Sequence, residues 1–407
     1  MASLEDNRYL PLLRHRPYLR IELTALPGRL GYSAIPVAIV LSQAQLSLAG
    51  TATAAFALSS GVLAAGKGRL VDSSGRFGAV GLALLAIACA VLFSRAAGSV
   101  AVVVLAGGAG AFVPPTTGMA RSSLAGRTPK SANQAGFALD AVIEECLYIL
   151  GPTAIAIVAV TDARLGLPVA TMLMGVSAVM LPVSRKARGD SGEEVLRTIN
   201  PSKPHPSEPD GGGTRLALAS VLGAVVIAGL ILGSDTVALT GLAELRHERA
   251  FAGLFLSAIS VGSIVGGLLF GRLPLSGLLI RKAGFLSAIL AVTSILPFLV
   301  GLDLGAPSWV VLVAVLISGL CLSPLMTVTY LFMKESGTAT VARYSLTSSA
   351  KNGAVALGAA AVGLLRSSEG ILGAVTVIGS IALTLALGLL LISFTGKVSP
   401  HRYHVVK

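Results

Sequence analysis

The sequence predicts an all-α polytopic membrane protein. The chain has 407 residues, of which 54% are hydrophobic and only 12% are charged, and its mean hydropathy is +0.82. A soluble domain carries about 25% charged residues. The apolar residues also fall in blocks of about 20, the length of an α-helix that crosses a bilayer. The composition therefore excludes a soluble enzyme, a secreted scaffold and a nucleic-acid-binding protein.

Twelve apolar blocks can be counted, in two sets of six. The first set is 21–46, 50–66, 78–94, 99–120, 135–160 and 166–184, and the second is 215–242, 250–270, 280–302, 306–332, 340–365 and 370–394. The intervening segment is charged and rich in Pro, Gly and Ser, as flexible linkers are. The predicted domains are a cytoplasmic tail at 1–20, a six-helix bundle at 21–184, a cytoplasmic linker at 185–214, a second bundle at 215–394 and a cytoplasmic tail at 395–407.

The positions of the basic residues predict the orientation. Of the 31 Lys and Arg residues, 24 fall on the side of the two termini and the linker, and five fall on the other side. Basic residues concentrate in cytoplasmic loops. Both termini are therefore predicted in the cytoplasm, and the net charge of +12 reflects this bias rather than nucleic-acid binding. The first 20 residues lack the short apolar region of a signal peptide, so the first block is expected to remain as a span.

The two halves also show a weak internal repeat. At a shift of about 200–209 residues, 110–115 (GAFVPP) meets 319–324 (GLCLSP), and 137–152 meets 344–359. Gly61 meets Gly262 in the second span of each half. Internal repeats of this kind are the usual construction of secondary transporters.

One loop carries a family resemblance. Residues 66–78 (GKGRLVDSSGRFG) resemble the signature loop between spans two and three of the major facilitator superfamily. The matching positions are Gly66, Asp72, Gly75 and Arg76. The resemblance covers nearly the whole chain. It implies two pseudo-symmetric bundles of six transmembrane helices that carry a small molecule by alternating access.

Three further segments resemble actinobacterial efflux-type members of that superfamily. They are 28–36 (GRLGYSAIP), 112–121 (FVPPTTGMAR) and 138–152 (ALDAVIEECLYILGP). The resemblance implies a bacterial cytoplasmic membrane. Two features of the family are missing, however: 105–108 lacks its span-four arginine, and the span-five antiporter motif is reduced to Gly151-Pro152.

The loop 66–78 is predicted to latch a cytoplasmic gate. Asp72 lies at a helix end, where it can accept from the N-terminus of a neighbouring helix. Arg69 and Arg76 are expected to bridge to acids or carbonyls of other spans, together with Gly66 and Gly75 of the motif. The alternative is a solvated loop that only satisfies the charge bias.

Span five carries three acids, Asp140, Glu144 and Glu145. Charged side chains inside a bilayer are costly and mark functional sites by default. Asp140 and Glu144 share a helix face with Tyr148 one turn further on. Several carboxylates in a low dielectric cannot all stay ionised, so these acids are candidates for proton coupling. The alternative is neutralisation by a permanent, purely structural ion pair.

Other charges lie deep in the spans. Arg29, Asp235 and Lys351 fall in spans one, seven and eleven, and the repeat places Glu144 on Lys351. Two intradomain pairs are therefore predicted, Arg29 with Glu144 and Asp235 with Lys351. They either only neutralise buried charge or are opened by substrate or proton. The candidates for the central cavity are Arg29, Tyr32, Tyr148, Asp235, Lys351 and Asn352. Arg121 is expected to be an interfacial anchor.

The sequence thus predicts a proton-coupled secondary transporter that exports a small amphiphilic compound, such as a drug or secondary metabolite, by antiport. Symport of an organic anion or sugar is the alternative, since Arg29 and Lys351 could bind an anion. A lipid scramblase or a receptor is the alternative outside coupled transport. No catalytic cluster, metal-ligand pattern or P-loop is present, so no enzyme, metal or cofactor is expected. Substrate, protons and lipid are the expected partners, and nothing requires an oligomer.

Overall fold

The computed structural model describes residues 9–43, 45–128, 132–182, 211–248, 250–273, 277–336, 340–394 and 402–403. Most of the predicted linker and of the two tails lies outside these residues. The helices are α1 (Tyr9–Arg14), α2 (Arg16–Ser42), α3 (Leu46–Val62), α4 (Ala64–Ser74), α5 (Arg76–Phe93), α6 (Ser99–Phe112), α7 (Thr116–Arg127), α8 (Asn133–Asp162), α9 (Gly166–Met180), α10 (Gly211–Leu245), α11 (Ala250–Arg272), α12 (Leu279–Thr293), α13 (Leu296–Phe298), α14 (Ser308–Gly319), α15 (Leu322–Glu335) and α16 (Val341–Phe394).

Short elements complete the chain. A 3-10 turn (Ala163–Leu165) joins α8 to α9, and a π-helical segment (Leu299–Asp303) follows α13. Two short strands, β1 (Gly277–Leu278) and β2 (Arg402–Tyr403), pair antiparallel. The described residues are thus almost entirely helical, as the composition predicts.

Within the described residues, nine helices are long and apolar enough to cross a membrane, or ten if a bent pair forms one span. That pair is Leu48–Val62 and Ala64–Ser74, which meet at 50°. The prediction of a polytopic membrane protein is confirmed, whereas the count is lower than twelve. Asn133–Met180 counts once although it contains both α8 and α9. The helix α16 breaks at Gly370 (φ 71°), and only the part after that residue is counted.

Two spans are broken at positions that the repeat relates. The first break separates α6 from α7 at Val113–Pro115, because proline has no N–H and restricts the residue before it. The second break separates α14 from α15 at Leu320–Cys321, just before Pro324. Both breaks fall inside the aligned segments 110–115 and 319–324, so the repeat seen in the sequence also appears in the structure.

The core divides along the chain. One large cluster of buried apolar residues belongs almost entirely to the second half. Two smaller clusters belong to the first half, except that Val341 is part of one of them. The halves meet at the end of the bundle where α2 begins, hereafter the proximal end. There Tyr9 Oη donates to the carbonyl of Leu268 (2.8 Å), and Gln134 Nε2 donates to those of Phe270 (2.7 Å) and Leu273 (2.8 Å). Polar contacts therefore close the proximal end.

Candidate functional site

A buried carboxylate on α8 organises the centre of the first half. Asp140 accepts from Arg29 of α2 through one oxygen and from Arg121 of α7 through the other, the latter at 2.9 Å from Nε. Asp140 is 0% exposed, Arg29 3% and Arg121 1%. Burial of such charges is tolerated only when they are paired and hydrogen-bonded. These three residues therefore tie three helices together electrostatically.

The network extends in both directions. Arg29 Nη1 also donates to Glu22 Oε2 at 3.1 Å, and Arg121 also bonds Glu144. The other oxygen of Glu144 lies 3.6 Å from Nζ of Lys351, which belongs to α16 in the second half. The network then contains three cations and three carboxylates, so its formal charge is balanced. Of the pairs in this network, only Glu144 with Lys351 forms a salt bridge between the two halves.

The predicted pair of Arg29 with Glu144 is wrong. Asp140, one turn before Glu144 on α8, reaches Arg29 first, and Arg121 takes Glu144. Arg121 is not an interfacial anchor, because its guanidinium is buried and lies 3.8 Å from the centre of the Tyr330 ring. Sequence reasoning also missed Glu22. Glu22 lies seven residues before Arg29, and this spacing puts both side chains on one face of α2. The spacing is the feature of the sequence that could have identified Glu22.

The predicted pair of Asp235 with Lys351 is also wrong. Lys351 reaches across to Glu144, since positions related by the repeat on α8 and α16 face each other where the halves meet. Asp235 is 5% exposed, and its Oδ1 is buried without a hydrogen-bond partner among the described residues. It therefore stands apart from the network as a single buried acid.

The third acid of α8 faces a different neighbour. Glu145 Oε2 accepts from Ser260 Oγ of α11 at 3.0 Å. Glu145 thus lies at the contact between the halves, and it is not among the residues that line the central cavity. Of the three predicted proton-coupling acids, only Glu144 lines this cavity.

The central cavity lies between α2, α3, α4, α7, α8 and α9 of the first half and α16 of the second. It is lined by Tyr32, Ser60, Gly61, Ala64, Lys67, Val113, Pro114, Pro115, Thr116, Thr117, Gly118, Glu144, Tyr148, Met174, Ser345, Ser348, Ser349, Lys351 and Asn352. The space between these residues is about 550 Å³, including the part that opens to solvent.

Four of the six predicted cavity residues line this space, and they contact each other across it. Asn352 Nδ2 donates to Tyr32 Oη at 2.7 Å, and Nζ of Lys351 lies 5.3 Å from the centre of the Tyr148 ring. Arg29 and Asp235 are not among the lining residues. The reason for Arg29 is that Glu22 and Asp140 hold its guanidinium within the helix packing.

The loop 66–78 contacts the second half through one acid. Asp72 accepts from the backbone N–H groups of Val341 (2.9 Å) and Ala342 (3.0 Å), the first residues of α16. This is the kind of contact predicted for Asp72. Gly75 has φ 65°, a left-handed conformation that glycine adopts without strain.

The expectation for the two arginines of this loop is wrong. Arg69 and Arg76 are exposed, and neither has a salt bridge or side-chain hydrogen bond within the part of the chain that the structure describes. Gly68 of this loop packs closely on α16 instead, since a Cβ atom there would lie 2.8 Å from the backbone nitrogen of Ala342. Gly66 meets no such neighbour among the described residues. The buried basic residue of the loop is Lys67, which sequence reasoning did not select.

Two buried acids permit a matched stability test. We expect Asp140→Asn to lower the free energy of unfolding by about 3 kcal/mol, because it removes the shared partner of two buried arginines. Asp235→Asn is expected to change it by less than about 1 kcal/mol, because no partner is lost. Thermal unfolding of both variants in detergent measures the difference. Equal losses would contradict this assignment and show that Asp235 has a partner of its own.

The described residues contain no group of three or more His, Cys, Asp or Glu side chains placed to hold a metal ion.

No protein-family model matches the sequence. No curated protein is similar to it in sequence. Solved structures, by contrast, are similar to it over almost their whole length.

The fold of this chain is similar to the folds of solved transporters. One of them is a Major Facilitator Superfamily transporter, FucP, in the outward conformation, with 14% identity over 92% of this chain and 98% of that one (TM-score 0.60). The chain is also similar to the human organic anion transporter MFSD10, with 16% identity over 92% and 99% (TM-score 0.65). A bacterial homologue of the iron transporter ferroportin, in the outward-facing state with soaked iron, has 15% identity over 91% and 98% (TM-score 0.66).

Proposed function

We propose that this protein is a proton-coupled secondary transporter that works by alternating access. The observation that carries the proposal is the contact between Glu144 and Lys351. It joins the two halves, it forms part of the cavity wall, and it ends a network of otherwise buried charges. A salt bridge at such a place can respond to a ligand in the cavity and to the relative position of the halves at the same time.

Protonation of Glu144 would couple the two events. A proton on this carboxylate removes its negative charge, so Lys351 loses its partner while Arg121 keeps Asp140. Lys351 is then free to bind substrate or to leave with the second half. A ligand can shift a conformational equilibrium only through a difference in its affinity for the two states. The Glu144–Lys351 contact supplies that difference for the proton.

The architecture we propose is twelve spans in two pseudo-symmetric bundles, 21–184 and 215–394, acting as a monomer in a bacterial cytoplasmic membrane. Two of the spans are α8 and α9, and two more are the parts of α16 on either side of Gly370. By the distribution of basic residues, the proximal end and both termini are cytoplasmic. The closed proximal end then makes this an outward-facing arrangement.

For the direction we propose export by exchange for protons, with a small amphiphilic molecule as cargo. The Gly151-Pro152 step of α8 supports this, because it is the part of the antiporter motif that the sequence keeps. Proton symport of an organic anion or sugar is the alternative, supported by Lys351 in the cavity wall. An uncoupled scramblase or a receptor would not use the buried network in this way.

Flux in proteoliposomes under an imposed pH gradient tests the proposal. Wild type is expected to move a cargo from a panel of neutral, cationic and anionic amphiphiles, and the sign of the effective gradient assigns export or uptake. Glu144→Gln is expected to abolish gradient-driven flux, since the residue can no longer exchange a proton. Glu244→Gln, at an exposed position of α10, is the matched control and should behave as wild type.

Two results of the same assay would contradict the proposed proton coupling. Movement of a cargo that is equal with and without the gradient, and equal in Glu144→Gln, would show uncoupled transport. Movement of a fluorescent lipid that ignores the gradient would show a scramblase.

A further inference from the structure

The broken span four directs a helix N-terminus into the cavity. The helix α7 begins at Thr116, and Thr116, Thr117 and Gly118 all line the cavity. No side chain caps this helix, and the N–H groups of Thr117 and Gly118 have no acceptor among the described residues. Free N–H groups at a helix N-terminus, together with the helix dipole, favour an anion.

A buried lysine lies in the same cavity. Lys67 is 6% exposed, and its Nζ donates to the carbonyl of Gly110 at 2.9 Å, in the last turn of α6. Within the described ranges, no carboxylate lies within the 4.0 Å salt-bridge distance of this ammonium group. Glu144, which also lines the cavity, is already bonded by Arg121 and Lys351. The cavity wall therefore holds a lysine without a carboxylate partner among the described residues, and an anion in the cavity would stabilise its charged form.

A hydroxyl group without a partner completes the set. Ser345 of α16 is 2% exposed, and its Oγ has no hydrogen-bond partner in the described part of the chain, although it is buried. It lies beside the first turn of α7, since a Cβ atom on Gly118 would be 2.5 Å from this oxygen. A buried polar group without a partner costs free energy of about 1–3 kcal/mol. A ligand that accepts from this hydroxyl would recover it.

We propose that these groups form a carboxylate-binding subsite, at which the α7 N-terminus, Lys67 and Ser345 hold the charged group of an organic anion. The rest of the cavity wall suits an apolar body, because Tyr32, Tyr148, Pro114 and Met174 are among its lining residues. This inference rests on the proposed function only in taking the cavity as the substrate site. It narrows the cargo to a small organic acid, in place of a neutral or cationic drug.

A simpler role for Lys67 predicts a different behaviour. Lysine near the last turn of a helix can bond the free carbonyls there, and Lys67 would then only cap α6. In that case its removal would affect stability but not the binding of anions. The two roles are separated by a binding measurement that compares an acid with its neutral analogue.

Benzoate and benzamide are the probes, because they have the same shape and differ in charge. Thr117→Cys is placed in a chain whose three native cysteines, Cys89, Cys146 and Cys321, are replaced by serine. Its rate of reaction with the neutral reagent N-ethylmaleimide is measured in detergent. Benzoate should slow the reaction by the factor 1 + [L]/Kd, or about 11-fold at ten times Kd. Benzamide should leave the rate nearly unchanged.

Three further variants in the same background identify the charge responsible. Lys67→Gln should remove the protection by benzoate, and Lys67→Arg should keep it. Lys282→Gln, which changes a lysine of α12 outside the cavity lining, should also keep it. Protection by benzoate that is no stronger than that by benzamide would overturn the proposal, even if Lys67→Gln failed to fold. Protection by benzoate that persists in Lys67→Gln would overturn it as well.

The protection experiment tests the anion subsite, and the pH-gradient assay tests transport, so either proposal can fail without the other. Selective protection by benzoate without gradient-driven flux would leave the anion subsite intact and remove the proposed transport. Gradient-driven flux of a cargo without such protection would leave transport intact and remove the subsite.

Discussion

Arg121→Gln is expected to lower the free energy of unfolding by about 5 kcal/mol, near the upper end for the loss of one partner of a buried ion pair. The change leaves Asp140 and Glu144 with one cation fewer, and Asp140 is 0% exposed. It also removes the guanidinium from the face of the Tyr330 ring. Thermal unfolding in detergent, at equal protein concentration, measures the loss.

The contribution of the charge balance can be isolated. The double variant Arg121→Gln/Glu144→Gln restores equal numbers of cations and carboxylates, so it is expected to recover part of the lost stability. Residues in one ion-pair network show interaction energies of about 0.5–3 kcal/mol in such cycles. Arg127→Gln is the control, because Arg127 lies on the same helix but is exposed. A double variant whose losses are simply additive would contradict the network.

Asp72→Asn is expected to open the proximal end. The carboxylate of Asp72 receives two N–H groups at the N-terminus of α16, and hydrogen bonds to a charged group contribute about 1.5–3 kcal/mol. Loss of most of this free energy would shift the equilibrium between the closed and the open proximal end towards the open state by about 10- to 100-fold. A change of 1.4 kcal/mol corresponds to a factor of ten. Spin labels at the exposed positions Arg127 and Leu273, one in each half, should show a longer distance.

Asp162→Asn is the matched control for this experiment. Its carboxylate also accepts from a backbone N–H group, that of Arg164 at 2.9 Å, but this contact is local to the first half. The control should leave the distance distribution between the labels unchanged. A distribution that stays unchanged in Asp72→Asn would show that Tyr9 and Gln134 keep this end closed without the acid.

Much of the fold follows from local sequence. The length of the apolar blocks and the low charge predict membrane-spanning helices, because each backbone polar group must be satisfied within its own helix in lipid. The break in span four is also local in origin, since two consecutive prolines, Pro114 and Pro115, remove two N–H donors. The helix N-terminus expected to receive Asp72 was found at α16.

The sequence did not predict which buried charges pair with each other. The sequence identified Arg29, Asp140, Glu144 and Lys351 as charges that need partners, because an ion in a bilayer is costly wherever it lies. It did not select Glu22 or Lys67, whose positions near the ends of predicted spans made them resemble ordinary interfacial residues. Nor did it place Arg121 in the interior. Whether a charge near a helix end faces lipid or protein depends on the neighbouring helices.

The sequence by itself determined that this is a helical, polytopic membrane protein, where its apolar blocks lie, and that deep charges require neutralisation. These depend on composition and on contacts within a few residues of each other along the chain. Only the tertiary structure decided which charges meet. Asp140 pairs with two arginines, Glu144 bridges to Lys351 in the other half, and Oδ1 of Asp235 has no partner among the described residues. The physical reason is that an ion pair forms within about 4 Å, and such distances between residues of different helices are set by how the helices pack.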